Sequence, residues 1–144
     1  MTKTDAIDQL LQKSENWLNQ NRPSKALESL NLVLDQLTVT PDPETLSNVH
    51  LEIAIIHRSL GHRKEAFEHY FEALKTSQNH HLKPHEDSAG ILFQIATLFD
   101  QTLRPKKAII HYEQAIAELT ETLGPNHPNT QMVQDKLDTA KAKI

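Results

Sequence analysis

Apolar residues recur every three or four positions along nearly the whole chain, and the runs are cut by proline, glycine or short polar stretches. That period places the apolar side chains on one face of an α-helix. The first run carries Ile7, Leu10, Leu11, Ser14, Trp17 and Leu18, and Asn21-Arg22-Pro23 interrupts it. Pro23 suits the first turn of a second helix, because proline has no N–H to miss there. The second run carries Ala26, Leu27, Leu30, Val33, Leu34 and Leu37, followed by a loop from Thr38 to Glu44 with Pro41 and Pro43. A third helix is predicted over about Glu44 to Leu60, with Leu46, Val49, Ile53, Ala54 and Ile56 for burial, ended by Gly61. A fourth covers about Arg63 to Asn79 and offers Ala66, Phe67, Tyr70, Phe71, Ala73 and Leu74. After a polar loop to His85, a fifth spans about Glu86 to Thr102 with Ala89, Leu92, Ile95, Ala96 and Phe99. Pro105 opens a sixth, which uses Ala108, Ile109, Tyr112, Ala115, Ile116 and Leu119. The break Gly124-Pro125-Asn126-His127-Pro128 precedes a seventh, with Val133, Leu137, Ala140 and Ile144 on one stripe. No stretch alternates with period two long enough to demand a strand.

The helices pair, and the pairs repeat. Ala26, Ala66 and Ala108 each stand three residues after a helix opening at Pro23, Arg63 and Pro105, with spacings of 40 and 42 residues. Leu30, Tyr70 and Tyr112 follow in register, then Val33, Ala73 and Ala115, then Leu34, Leu74 and Ile116. The preceding helices repeat as well, through Ser14, Ala54 and Ala96 and through Trp17, His57 and Phe99. Short side chains at fixed places let two helices approach closely while a large neighbour fills the adjoining space. So small a helix pair cannot bury its apolar face alone, and stacking neighbours gives one continuous core.

This pattern resembles the tetratricopeptide repeat family. The second unit carries it best, in Ile53-Ala54, His57, Gly61, Ala66, Tyr70 and Ala73-Leu74. The third has Ile95-Ala96, Phe99, Ala108, Tyr112 and Ala115-Ile116, with Leu103 where the turn glycine would stand. The first is degenerate. The connector Leu123-Gly124-Pro125-Asn126-His127-Pro128-Asn129-Thr130 is similar to that of the 42-residue form found in kinesin light chains and many bacterial regulators. The resemblance implies an all-α, right-handed α-solenoid in one domain over 1–144. Its repeats would be at about 5–40, 44–79 and 86–123, with a capping helix at about 128–144 whose outer side is made polar by Lys136, Asp138, Lys141 and Lys143.

The resemblance further implies that the first helix of each pair lines a concave surface. The family's contact positions fall on Asp8, Leu11, Glu15 and Leu18, on Asn48, Leu51, Ile55 and Arg58, and on Gly90, Phe93, Thr97 and Asp100. Leu51, Ile55 and Phe93, extended by Leu11 and Leu18, would make an apolar stripe that holds a helix or an extended peptide of another protein. Asp8, Glu15 and Asp100 favour a ligand with some basic character. The competing expectations are a self-assembling protein whose stripe is buried against a second copy, and simple packing of these residues against neighbouring helices. A common member of the family clamps a chaperone's C-terminal carboxylate with lysine, arginine and asparagine. Here Leu11, Glu15, Gly90 and Gln94 stand at those places, and Glu15 repels a carboxylate, so that ligand is excluded.

Composition narrows the chemistry. The net charge is −4 with no basic block, so a phosphate backbone is not the expected partner. Cysteine is absent, which removes disulfides, thiolate metal sites and a thiol nucleophile. No apolar run of signal-peptide or membrane-spanning kind occurs, and a cytoplasmic location without membrane contact is expected. The seven serines stand in no strand-turn-helix elbow, and there is no phosphate-binding glycine loop or HExxH. Glu113, Glu118 and Glu121 are spaced like the wet side of a helix. No enzyme activity and no cofactor are expected. Nine histidines invite a metal, densest at His80, His81 and His85 beside Glu86 and Asp87. Pro84 breaks a helical alignment of His81 with His85, so no metal site is expected and a solvated polar loop is. His57 reads as a packed neutral histidine, and His127 as a residue that caps or packs its turn.

Overall fold

The computed structural model describes residues 2–144. Among them are seven helices and no strand: α1 (Lys3–Asn19), α2 (Pro23–Val39), α3 (Pro43–Ser59), α4 (Arg63–His81), α5 (Glu86–Gln101), α6 (Pro105–Leu123) and α7 (Pro128–Lys141). Helix makes up 83% of the chain. Proline is the first residue of α2, α3, α6 and α7, where a missing N–H costs nothing. Side chains satisfy other free N–H groups. Thr2 and Asp5 form a reciprocal cap on α1, and Asp42 accepts from Thr45 N–H at 3.2 Å. His127 caps α7 as expected, its Nδ1 accepting from Asn129 N–H at 3.1 Å.

The chain divides into two compact units, one up to His69 and the other from Tyr70 on. In the first, α1 packs on α2 and α2 on α3. Ile7, Ala26, Leu30, Val33, Leu37, Val49, Ile53 and Ile56 form its buried cluster, with Leu10, Leu11, Trp17, Leu27, Leu34 and Leu46 packed around it. Each large aliphatic among them stabilises the fold by about 1.5–3 kcal/mol through burial. In the second, α5 packs on α6 and α6 on α7. There Ile95, Ala96, Phe99, Ala108, Tyr112, Ala115, Val133, Leu137 and Ala140 are buried. The marker residues Ala26, Ala54, Ala66, Ala73, Ala96, Ala108 and Ala115 are all fully buried, the condition that close helix contact requires.

The turn within each helix pair repeats. Asn21, Gly61 and Leu103 all take a left-handed backbone, with φ of 58°, 79° and 61°. The next residue's N–H reaches back to the last helical turn each time. Arg22 donates to the Trp17 carbonyl at 2.8 Å, His62 to His57 at 2.8 Å and Arg104 to Phe99 at 2.9 Å. These are the bonds of a glycine-type helix end.

Four sequence expectations are corrected. α4 runs two residues beyond Asn79, to His81, and stops where Leu82 turns left-handed at φ 59°. Ile144 is not on the α7 stripe: the helix ends at Lys141, and Ile144 is 67% exposed. Lys143 does not simply decorate the outer side of the cap, because its ammonium reaches Asp100 at 2.7 Å. Glu118 is not on a wet face. The packing of α5 on α6 leaves it half-buried, and it accepts from the Ser88 hydroxyl at 2.7 Å.

Candidate functional site

In the first unit the expected contact residues lie on α1 and α3 with graded exposure. Asp8 and Glu15 are exposed, and Leu18 is 41% exposed. Leu11 is half-buried and already packs on the core cluster, so part of its area is consumed. Asn48 is exposed, Leu51 and Arg58 are half-buried, and Ile55 is 36% exposed. The pattern reading missed Glu52, next to Leu51. Its carboxyl is held above the usual range, first by partial desolvation and then by the negative charge of Glu15 on α1. The first unit therefore sets two acids within reach of each other beside the apolar residues of α3.

In the second unit α5 carries the remaining positions. Gly90 is exposed, and Phe93, Thr97 and Asp100 are half-buried. Phe93 is less free than expected for an open surface: its ring leans on Tyr112, centroids 6.0 Å apart. It lines a recess of about 350 Å³ with Leu119, Leu123, Met132 and Val133. Thr97 turns its hydroxyl to the Phe93 carbonyl at 2.9 Å and also hydrogen-bonds Tyr112. Burial pushes the Tyr112 hydroxyl up from its ordinary value, as does the charge of Asp100, against the Thr97 bond and Lys143. Asp100 is engaged by Lys143, so a basic ligand would compete with the chain's own cation there. Nothing in the helical period pointed to that pairing, since Lys143 lies past the end of α7.

Two groups of histidines stand outside these positions. Where α3 and α4 face each other, His50 and His69 meet Nδ1 to Nδ1 at 3.0 Å, and His57 and His62 at 3.1 Å. His57 is half-buried, and desolvation, then His62, lowers its pKa below the usual histidine value, with Glu65 and Glu68 acting the other way. A neutral, packed His57 is what the sequence implied. In the second unit, His81 and His85 come together although Pro84 lies between them, their rings stacked with centroids 3.5 Å apart. Pro84 breaks a helical alignment of the two, but it does not part the side chains. The left-handed Leu82 reverses the chain, so that the end of α4 and the start of α5 face the same turn.

The family model described as anaphase-promoting complex subunit 5 matches residues 10–100. No curated protein sequence matches the chain. Among solved structures, BtubC (BKLC) from P. vanneervenii is similar with a TM-score of 0.66 at 17% identity, over 99% of this chain and 67% of that one. A tetratricopeptide repeat protein from Parabacteroides merdae is similar with a TM-score of 0.61 at 16% identity, over 96% of this chain and 61% of that one. The fold is therefore that of tetratricopeptide-like helical repeats, as the alanine spacing and the connector implied. No described helix is long and apolar enough to cross a membrane.

Proposed function

The chain belongs to the anaphase-promoting complex subunit 5 family, and from that premise we propose that it is a non-enzymatic adaptor holding a segment of another protein on its first helices. Tetratricopeptide-like folds typically mediate protein–protein interaction and are generally non-catalytic scaffolds. The observation that carries the finer reading is the apolar area left on those helices by their own packing. Ile55 and Leu18 keep more than a third of their surface in water, and Leu51 and Phe93 remain half-open. These side chains are already more than half buried, so completing their burial contributes only part of the about 1.5–3 kcal/mol that a full burial gives. A few such anchors dominate most interfaces. Arg58 orients the segment, and the acids Glu15 and Glu52 select one that carries lysine or arginine near its apolar anchors. The term is small at physiological salt.

The test is selection of peptides against the purified chain from a displayed random library, followed by mapping the best binder by amide chemical shifts. Perturbations centred on Leu18, Leu51 and Ile55 in the first unit, or on Phe93 in the second, with the chain monomeric in light scattering, support the adaptor. Perturbations confined to α2, α4 and α6 would overturn it. A stable dimer that protects the same side chains would favour the competing reading, in which a second copy covers them.

A further inference from the structure

The turn between α4 and α5 collects donors that the proposed protein-binding role does not use. The Asp87 carboxylate oxygen Oδ2 lies 3.3 Å from His81 Nε2 and 3.5 Å from His85 Nδ1. One donor atom from each of the three residues falls within 4.8 Å of the other two. We propose that His81, His85 and Asp87 bind a divalent transition-metal ion of the zinc class, with solvent in the remaining position. Two imidazoles and a carboxylate are a set that such ions favour over magnesium or calcium, which prefer all-oxygen shells. Spacing supports the assignment. An ion about 2.0 Å from each ligand in a tetrahedral arrangement holds neighbouring donor atoms about 3.3 Å apart. The separation of Asp87 from His81 falls at that value, and that from His85, 3.5 Å, changes when the His85 ring turns to ligate.

The pieces are held for other reasons, which brings the donors together without the ion. His81 is the last residue of α4, and Asp87 lies in the first turn of α5. His85 caps α5, its Nδ1 accepting from Asp87 N–H at 3.0 Å. The stacked rings cannot both aim in-plane lone pairs at one ion. His85 must therefore turn on its side-chain bonds, giving up the stack and the cap as it ligates. All three side chains reach solvent, His81 least, so an ion has an entry path. Metal binding would tie the end of one helix to the start of the next across a turn.

Isothermal titration of the tag-free chain with zinc chloride, and separately with nickel chloride, tests this. One saturable site is expected, with magnesium chloride giving none. Changing His81→Ala or Asp87→Asn should weaken zinc by roughly tenfold or more, the scale on which metal sites respond to lost partners. His85→Asn keeps a capping side chain while removing the imidazole, so α5 stays formed, and it should weaken zinc likewise. The doubly changed His50→Ala, His69→Ala chain should bind as the unchanged one does. Imidazole resonances of His81 and His85 should shift together on zinc addition. No saturable heat, equal affinity in all variants, or a loss that follows His50 and His69 would each overturn the site.

Discussion

The second and third helix pairs make one backbone arrangement with different side chains, 42 positions apart. Gly61 turns the second at φ 79° with nothing within 4 Å of where a Cβ would stand, and Leu103 turns the third at φ 61° with its side chain 88% exposed. Glycine accepts that backbone freely. Leucine bears a steric penalty and gains little contact in return. The same offset relates the ring contacts. His57 stacks on His69 at 5.8 Å, while Phe99 meets His111 at 5.2 Å with the Lys107 ammonium over its face. The buried alanines on either side of the turn are identical, Ala54 and Ala66 against Ala96 and Ala108. The difference teaches that close helix packing dictates the turn, and the turn residue only tolerates it well or badly.

The largest effect should come where the two pairs agree. Ala66→Leu and Ala108→Leu each force methylenes into a fully buried contact and should each cost about 1–3 kcal/mol. Urea unfolding of both variants checks this, and midpoints equal to the parent's would mean that these alanines are not contact positions. Next comes the turn. Gly61→Leu should lose about 1–2 kcal/mol through backbone strain, because a Cβ at this left-handed position meets no neighbour that could offset it. Leu103→Gly should gain up to about 1 kcal/mol, reduced by the added freedom of the unfolded chain. Both changes lowering the melting temperature would show that Leu103 holds the third turn by contact.

The smallest effect is the dependence on pH. The folded state lowers the His57 pKa from 6.5, so between those values the unfolded chain holds a proton that the folded one refuses. Stability from this group is present above pH 6.5 and is lost as pH falls through the lowered folded value. His50, His62 and His69 face the same contact, and Glu65 and Glu68 oppose the shift. His57→Phe, which copies Phe99, should flatten the decline in melting temperature between pH 7.5 and 5.5. An unchanged slope would assign the dependence to other groups.

Much of this was legible in the chain. Period and proline placement gave every helix, and buried alanines at fixed spacing gave the pairs. What the pattern lost depended on residues past helix ends or across a turn. Lys143 meets Asp100 because the chain continues beyond α7, and a helical wheel stops where the helix does. His81 meets His85 because Leu82 takes a left-handed turn that leucine rarely adopts, so the sequence carried no mark of it. Glu118 looked solvated by spacing alone, yet Ser88 on the facing helix claims it. The proposed contact positions rest on register alone, whereas their exposure depends on neighbours. Phe93 rests on Tyr112, and Leu11 lies against the core.

The central claim is that first-helix apolar side chains anchor a partner segment. Its most direct measurement is fluorescence titration of one selected peptide against Leu51→Ala, Phe93→Ala and Glu68→Ala, the last an exposed residue of α4. Loss of one buried anchor is expected to weaken binding by roughly tenfold or more, as interface hot spots do, with circular dichroism unchanged. Glu68→Ala is expected to bind as the parent does. If Leu51→Ala and Phe93→Ala hold the peptide as tightly as Glu68→Ala, the partner does not sit on the first helices.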